Sequence, residues 1–485
     1  MPARLVFDKD LPIGAPDPMN APGLRSAQDR LLREVLNPLR RFWSGKHVVL
    51  LATQAGRVSN RNIAELSESG AEVRCVIAAS WADDDPMPKG SVWNCLEHGS
   101  RMERQDFEAW LRTSPTELTK WLDDFDPGHD LVVLGTTFSD YPEFCGRRVH
   151  GWRLREWTLW EDKTRIEAMW RAIGIHSPDH VVLDVDDPAL ADQALAYDHG
   201  LGVVVAIDNS VELSTGGQGL RWAVDASALA SAIDELRPQT TRVRIASFVG
   251  GVPCSIMGLV LASGVAVFDP VEDITLRSLD TGKFLFCGSS TWWRPSAAGL
   301  AEIRQTARRI GRHLADNLSY RGFFSVDGVL GEDRFQVTEL NPRHASGLGL
   351  HSAWPEFPVY LFHRAVQMGI AGMEALDWQS VETTFRTAIR SAPSVSITLP
   401  SLAGPHRAAG AHSDVVRYSG LPVVDPVEWV VTYSHDGIEA GLIAVEPMPV
   451  TGQLGLVMQA FASQTGRPDL VSHATADCRV RRPSV

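Results

Sequence analysis

The chain has 485 residues, of which 44% are hydrophobic and 22% are charged, and its formal net charge is −13. This length exceeds what one hydrophobic core supports, so two to three domains are expected, with the composition of an ordinary globular protein. The acidic balance argues against a nucleic-acid partner, because there is no excess of Lys and Arg to neutralise phosphates, and the longest apolar runs are far shorter than a membrane span.

The beginning of the chain and the pattern of cysteines indicate the cellular compartment in which the protein is expected. The segment MPARLVFDKDLP lacks the apolar core of a signal peptide. The six cysteines are scattered and include no C-x-x-C pair, which is typical of thiols that are kept reduced. We therefore expect a cytoplasmic protein.

The N-terminal segment has the pattern of an α/β domain. Its periodicity predicts alternating helices and strands over Ala27–Trp43, Lys46–Gln54, Asn60–Ser69 and Glu72–Ala79. This order predicts a strand–helix–strand unit near the start of the fold. The turn Ala55–Arg57 is neither a G-x-G-x-x-G fingerprint nor a Walker loop, so no dinucleotide is placed there.

A glycine-rich loop follows the predicted strand Gly202–Ile207. Its glycines allow backbone amides to approach phosphate oxygens closely, and its hydroxyls add further donors. The candidate phosphate-binding residues are Ser214, Thr215, Gly216, Gly217 and Gly219. A lone glycine loop is equally typical of a flexible hairpin, so both interpretations stay open on these residues alone.

Two later stretches are predicted to pair as a hairpin. Phe323–Leu330 and Arg334–Asn341 have strand character and are separated by a short Gly-Glu-Asp turn. Side chains alternate faces along each strand. Asp327 and Glu339 are therefore expected opposite or diagonal to each other, within reach of one cation.

The groups on this hairpin suit phosphoryl transfer from a nucleotide. Asp327, Glu339 and Asn341 offer the hard oxygen ligands that hold Mg²⁺. Arg343 can bind a phosphate or offset developing charge. The alternative is an ordinary hairpin with surface acids, but four such groups at this spacing favour a metal site.

The composition changes after about residue 375. Thr384–Leu399 contains strand-like stretches, and Glu428–Ser434 and Ile438–Glu446 flank a His-Asp-Gly turn as a second predicted hairpin. These residues predict a small additional domain.

Asp327, followed by the run Glu339-Leu340-Asn341-Pro342-Arg343, resembles the metal-binding end of the ATP-grasp superfamily of carboxylate–amine ligases. The resemblance implies an α/β protein of three parts. These are a pre-ATP-grasp α/β domain in residues 1–155, the ATP-grasp domain in residues 156–375 and a small C-terminal α+β domain in residues 376–485. The cofactors that it implies are ATP and Mg²⁺.

The same resemblance implies roles for residues upstream of the hairpin. Lys163, at the start of the predicted helix Asp162–Ile175, matches a lysine that contacts ATP phosphates. The glycine-rich loop would close over those phosphates. The hinge on which adenine rests matches Arg242–Leu261. The positions whose backbone would read the base edge are Ala246, Ser247 and Val249.

It also implies catalytic residues and exposes two departures from the family, one of which is Ala246 in place of the acid common at the start of the hinge. Arg343 would stabilise charge, and His344 and Ser346 are candidates to meet the acyl phosphate and the acceptor, with a plain turn as the alternative. The position of a second ATP-contacting lysine matches Val205. Arg221, just beyond the glycine loop, is the candidate to replace that charge.

Two stretches of the sequence, IASFVGGVPCSIMG and TELNPRHASGLG, are most similar to the pheganomycin-type peptide ligases. This implies an ATP-dependent enzyme of peptide natural-product biosynthesis. It would activate a small amino-acid-like carboxylate as an acyl phosphate and join it to the α-amine of a peptide, releasing ADP and phosphate. The expected partners are this carboxylate donor and peptide acceptor, without nucleic acid or membrane, and with a homodimer left open. The alternatives are another ATP-grasp amino-acid or dipeptide ligase, a kinase on the same scaffold, and a catalytically weak nucleotide-binding regulatory protein.

Overall fold

A computed structural model describes most of the chain. The described residues are 22–55, 57–81, 91–95, 102, 104–208, 217, 219–331, 334–345, 348–399, 410–418, 427–435, 440–446, 454–464 and 466–473. Three sheets with helices packed against them form a mixed α/β, multi-domain architecture, which confirms the predicted fold class. None of the described helices is long and apolar enough to cross a membrane.

The helices are α1 (Pro22–Trp43), α2 (Arg57–Glu68), α3 (Arg104–Arg112), α4 (Thr116–Phe125), α5 (Arg155–Thr158), α6 (Ile166–Ala172), α7 (Leu190–Leu195), α8 (Ala226–Leu236), α9 (Ala297–Leu318), α10 (Leu350–Ala353), α11 (Val359–Gln367), α12 (Trp378–Ser391) and α13 (Leu454–Gln464). Short 3₁₀ turns cover Leu159–Glu161, Arg237–Gln239 and Met373–Ala375.

The strands are β1 (His47–Ala55), β2 (Glu72–Trp81), β3 (Ser91–Asn94), β4 (Val132–Leu134), β5 (Glu143–Phe144), β6 (Arg147–His150), β7 (His180–Asp184), β8 (Val203–Ile207), β9 (Leu220–Ala223), β10 (Arg242–Ser247), β11 (Val252–Leu261), β12 (Gly264–Val267), β13 (Val271–Ser278), β14 (Phe284–Ser290), β15 (Gly322–Leu330), β16 (Phe335–Asn341), β17 (Val395–Leu399), β18 (Gly410–Tyr418), β19 (Val427–His435), β20 (Ala440–Glu446) and β21 (Leu470–Ser472).

The first sheet has the strand order β3-β2-β1-β4-β6-β5. β1 lies between β2 and β4 and runs parallel to both, which confirms the predicted strand–helix–strand unit. The loop that leaves the carboxyl end of β4 carries Phe138, and the ring of Phe138 packs against Arg343 from a distant part of the chain.

The second sheet is antiparallel, with the order β7-β10-β8-β9. One face packs on α7 and α8 and is built from Val203, Val205, Ile207, Val243 and Ile245. Because side chains alternate along a strand, the intervening residues lie on the opposite face. Several of them, namely Val204, Ala206, Arg244 and Ala246, line a cavity between this sheet and the third one.

The third sheet follows the path β16-β15-β11-β13-β14-β17-β20-β19-β18, with β12 beside β11 and β21 beside β13. Helix α9 packs against it through Ile303, Ala307, Ile310 and Leu314. Strands β17 and β21 come from beyond residue 375 and pair with β14 and β13. The C-terminal segment therefore extends the sheet that carries the predicted hairpin, and the exact domain boundaries stay predictions.

One predicted element is wrong in part. The first half of Thr384–Leu399 belongs to helix α12, and strand β17 covers its end, Val395–Leu399. Val381, Phe385 and Ala388 recur at helical spacing and are buried. Local β-propensity suggested strand here, but burial of one helical face outweighs that weak preference.

Candidate active site

Strands β15 and β16 form the predicted hairpin and place its two acids side by side. Asp327 pairs directly with Glu339 in the antiparallel register, next to a bulge between Asp327 and Gly328. Asn341 donates from Nδ2 to Asp327 Oδ2 at 3.0 Å. The predicted pairing is confirmed, and all three side chains line one wall of the cavity.

Lys163 reaches this hairpin from the segment before α6. Its Nζ lies 2.8 Å from Glu339 Oε2, and both residues line the cavity. Asp162 fixes the turn that carries the lysine, because its carboxylate accepts from the backbone N and the Oγ1 of Thr164, both at 2.8 Å. Lys163 and Glu339 are thus in contact, while a role of Lys163 in binding phosphate stays a prediction.

Arg343 also lines the cavity and is held on three sides. Its Nη2 donates to Asn341 Oδ1 at 2.6 Å and its Nε to Glu161 Oε2 at 3.3 Å. The guanidinium carbon lies 4.9 Å from the centroid of the Phe138 ring. The buried Glu161 also pairs with Arg153. Burial acts to raise the pKa of Glu161, but the two guanidiniums outweigh it and lower that pKa.

A third carboxylate in the cavity, Asp273 on β13, was missed by the sequence analysis. Burial, followed by the Asp327 charge, raises the pKa of Asp273 well above its ordinary value. Burial, followed by the Glu339 charge, raises the pKa of Asp327 from 3.8 to about 6. Asp273 and Thr275 lie two residues apart and flank the apolar Ile274, a spacing that could have indicated this polar face.

These acids fit a magnesium ion that is shared with nucleotide phosphates. Half-buried carboxylates that repel one another are stabilised by a divalent cation. Asp327, Glu339 and Asn341 carry the oxygen donors that Mg²⁺ prefers. Among the described residues, no group of three or more His, Cys, Asp or Glu is arranged to hold a metal by itself. Such an ion would therefore take further ligands from the amide, water and phosphate, which is the usual arrangement for Mg²⁺.

The cavity, of about 340 Å³, combines this charged wall with an apolar part. The apolar part is lined by Pro178, Val204, Ala206, Leu220, Phe284 and Phe286. The three predicted hinge residues, Ala246, Ser247 and Val249, all line it as well. A cavity that offers apolar walls for a base and charged groups for phosphates suits a nucleotide.

The structure describes only part of the glycine-rich loop. Ser214, Thr215 and Gly216 lie outside the described residues. Gly217 lines the cavity and has a φ of +81°, a conformation that favours glycine. Gly219 accepts from the backbone N of Ile207 at 3.1 Å and leads into β9.

Arg221, the candidate to replace the missing lysine charge, is not brought to the cavity. Its Nε and Nη2 bind the carboxylate of Glu235 at 2.9 and 2.8 Å. Arg244 on β10 lines the cavity instead, opposite Ala206 in the register. Its Nε donates to Glu167 Oε1 at 2.6 Å.

The orientation of β8 explains why Arg244, and not Arg221, lies at the cavity. Val205, which was matched to the family lysine, packs in the core against α8. Val204 and Ala206, its two neighbours, line the cavity. The cationic side chain beside this part of β8 is therefore Arg244, on the neighbouring strand.

His344 lies behind the cavity wall rather than in it. Its ring is buried and packs against Phe323 and Tyr360, with centroids 5.4 and 5.0 Å away. Burial lowers the pKa of His344 to about 3, so the ring is neutral. Its neighbour Ala345 lines the cavity, and Ser346 lies outside the described residues.

Comparisons with known proteins give weak likenesses. No protein-family model matches the sequence, and no curated protein matches it. The structure is similar to an N5-carboxyaminoimidazole synthase from Aspergillus clavatus, solved with ADP and 5-aminoimidazole ribonucleotide. That likeness has 14% identity and a TM-score of 0.49, and covers 88% of this chain and 100% of that one.

Two proteins from Thermotoga maritima are also similar. For N5-carboxyaminoimidazole ribonucleotide synthetase the identity is 14% and the TM-score 0.44, over 88% of this chain and 99% of the other. For phosphoribosylamine–glycine ligase the identity is 14% and the TM-score 0.43, and the likeness covers 88% of this chain and 98% of the other. Because likenesses of this size are weak, the interpretation of the cavity rests on its own residues.

Proposed function

We propose that this protein is an ATP-dependent carboxylate–amine ligase of the ATP-grasp superfamily. The observation that carries the proposal is the convergence of five groups on one wall of a cavity that also has an apolar part, namely Asp327, Glu339, Asn341, Lys163 and Arg343. Few reactions require all of these groups together, but phosphoryl transfer from a nucleotide does.

In this proposal the base of ATP lies in the apolar part of the cavity, beside Ala246 and Val249, and the phosphates extend towards Lys163. Asp327, Glu339 and Asn341 would hold Mg²⁺, which supplies charge neutralisation to the phosphates when bound. Glu339 is bound to Lys163 through a single contact of 2.8 Å. The lysine can therefore share its three protons between this carboxylate and a phosphate oxygen.

The chemistry follows from the weakness of a carboxylate as an acylating agent. A donor carboxylate oxygen attacks the γ-phosphorus, the bond to ADP breaks, and an acyl phosphate forms. An amine nitrogen then attacks the acyl carbon, phosphate leaves, and the amine loses a proton. Arg343 is oriented by Asn341 and Glu161 to offset charge at the transferring group. Closure of the cavity would exclude water, which otherwise hydrolyses the intermediate.

We further propose that the donor is a small amino-acid-like acid and that the acceptor is the α-amine of a peptide. The similarity of IASFVGGVPCSIMG and TELNPRHASGLG to pheganomycin-type peptide ligases supports this choice. We propose that the reaction belongs to peptide natural-product biosynthesis. The proposed pre-ATP-grasp, ATP-grasp and C-terminal domains are residues 1–155, 156–375 and 376–485.

The test incubates the purified chain with ATP, Mg²⁺ and a mixed library of amino acids and short peptides, and follows ADP and product masses. ADP together with a product at the summed mass of two library members less water supports the ligase and identifies both substrates. Products with amino-acid acceptors only would indicate a dipeptide ligase. A stable phosphorylated product would indicate a kinase. Nucleotide binding without turnover would favour a regulatory protein, and absence of nucleotide binding would refute the proposal.

A further inference from the structure

Among the described residues, the far C-terminal segment contributes His473 to the cavity. Strand β21 pairs with β13, so that Leu470 and Ser472 face Ser278 and Leu276 in the register. His473 follows directly, donates from its backbone N to Thr275 O at 3.1 Å, and lines the cavity.

The ring of His473 is fixed against the predicted hinge. Its Nε2 lies 3.0 Å from the carbonyl oxygen of Val249. Since a carbonyl can only accept, Nε2 carries the proton and Nδ1 is left as an acceptor. The ring centroid lies 4.6 Å from that of Phe248 and 5.9 Å from that of Phe284.

The surroundings keep this imidazole neutral. Burial, followed by the nearby Arg277 charge, lowers the pKa of His473 to about 3. The Arg277 guanidinium is itself stacked between Trp222 and Phe248, at 3.9 and 4.4 Å from their ring centroids. A neutral heteroaromatic ring held on a rigid aromatic support suits contact with a flat, uncharged partner rather than with a phosphate.

We propose that His473 is a base-binding residue of the nucleotide cavity, supplied by the C-terminal segment Gly466–His473. This rests on the proposed function, because it assumes that a nucleotide occupies the cavity. The ring forms part of the wall against which the base packs, and its bond to Val249 O fixes the hinge beside the base. Base-to-aromatic contacts contribute appreciably to nucleotide binding and require the π-face rather than charge.

The experiment measures binding of ADP and of inorganic tripolyphosphate, both with Mg²⁺, by calorimetry on the full chain. His473→Ala is expected to weaken ADP binding about tenfold and to leave tripolyphosphate binding unchanged, since tripolyphosphate has no base. His473→Phe keeps an aromatic ring and is expected to lose less ADP affinity than His473→Ala. His47→Ala is the matched control, because it removes an exposed imidazole in the first sheet.

The outcomes separate this inference from the proposed function. A wild-type chain that does not bind ADP overturns both. A wild-type chain that binds ADP, with His473→Ala binding equally well, overturns only the role of His473. Equal losses of ADP and tripolyphosphate affinity would show a general collapse of the cavity and also overturn it. If His473→Phe binds ADP as weakly as His473→Ala does, the proposed contact between the ring and the base is refuted.

Discussion

Replacing Asp327 by Asn should stabilise the metal-free protein and remove its response to Mg²⁺ and ADP. Asp327 is half-buried beside Glu339 and Asp273, and desolvation with the Glu339 charge raises its pKa from 3.8 to about 6. Asn keeps the shape of the side chain and an oxygen that can accept from Asn341. It removes the charge that this site tolerates poorly without a cation.

The magnitude follows from the pKa of Asp327. A rise in this pKa from 3.8 to about 6 lowers the free energy of unfolding by at most about 3 kcal/mol at neutral or higher pH. Protonation of Asp273 relieves part of the same repulsion, so the measured gain should be smaller. The folded pKa is the higher one, so wild-type stability falls as pH rises through this window, whereas Asn does not titrate. The gain in free energy of unfolding from Asp327→Asn should be near zero below pH 3.8 and reach its maximum above about pH 6.

The assay is urea unfolding in EDTA at pH 5 and pH 8, repeated at pH 8 with Mg²⁺ and ADP. Wild type should be stabilised by the ligands through mass action, and Asp327→Asn much less. Asp124→Asn makes the same change at an exposed position of α4 and serves as the control. An Asp327→Asn chain that is less stable than wild type at pH 8, or equally stabilised by Mg²⁺ and ADP, would refute the reasoning.

Four further substitutions test the rest of the site. Glu339→Gln and Arg343→Ala should each abolish ADP formation, measured by a coupled assay, with circular dichroism checking the fold; near-normal turnover in either would contradict the assignment. Glu161→Gln should lower kcat at least tenfold with little change in ADP affinity, because Glu161 contacts Arg343 and Arg153 but does not line the cavity. It should also cost about 3 kcal/mol of stability in urea, because it breaks a buried ion pair; a larger effect on KM than on kcat would speak against a positioning role. Asp273→Asn should raise the Mg²⁺ concentration needed for half-maximal turnover, and an unchanged requirement would exclude Asp273 from the metal site.

The sequence could predict the hairpin because its determinants are local. The alternation of side chains and a short turn fix which residues of β15 and β16 face each other, so Asp327 and Glu339 were paired correctly. The resemblance to the ATP-grasp superfamily located the hinge residues Ala246, Ser247 and Val249, and all three line the cavity. The roles of these residues towards ATP stay predictions.

The sequence could not decide which face of β8 and β9 meets the cavity. In a run such as Val-Val-Val-Ala every residue is apolar, so a shift of one position reverses the assignment without changing the pattern. The register pairs Val205 with Arg221, and neither lines the cavity. Ala206 faces Arg244 on the other side, and both of them do.

By itself the sequence determined which groups the hairpin brings together, because Asp327, Glu339, Asn341 and Arg343 are close along the chain or directly across one turn. Only the tertiary structure added what distant segments supply. Asp273 arrives on β13, and His473 arrives on a strand that pairs with β13 from the far end of the chain. Such contacts depend on how sheets are assembled, and no local propensity records which strands become neighbours.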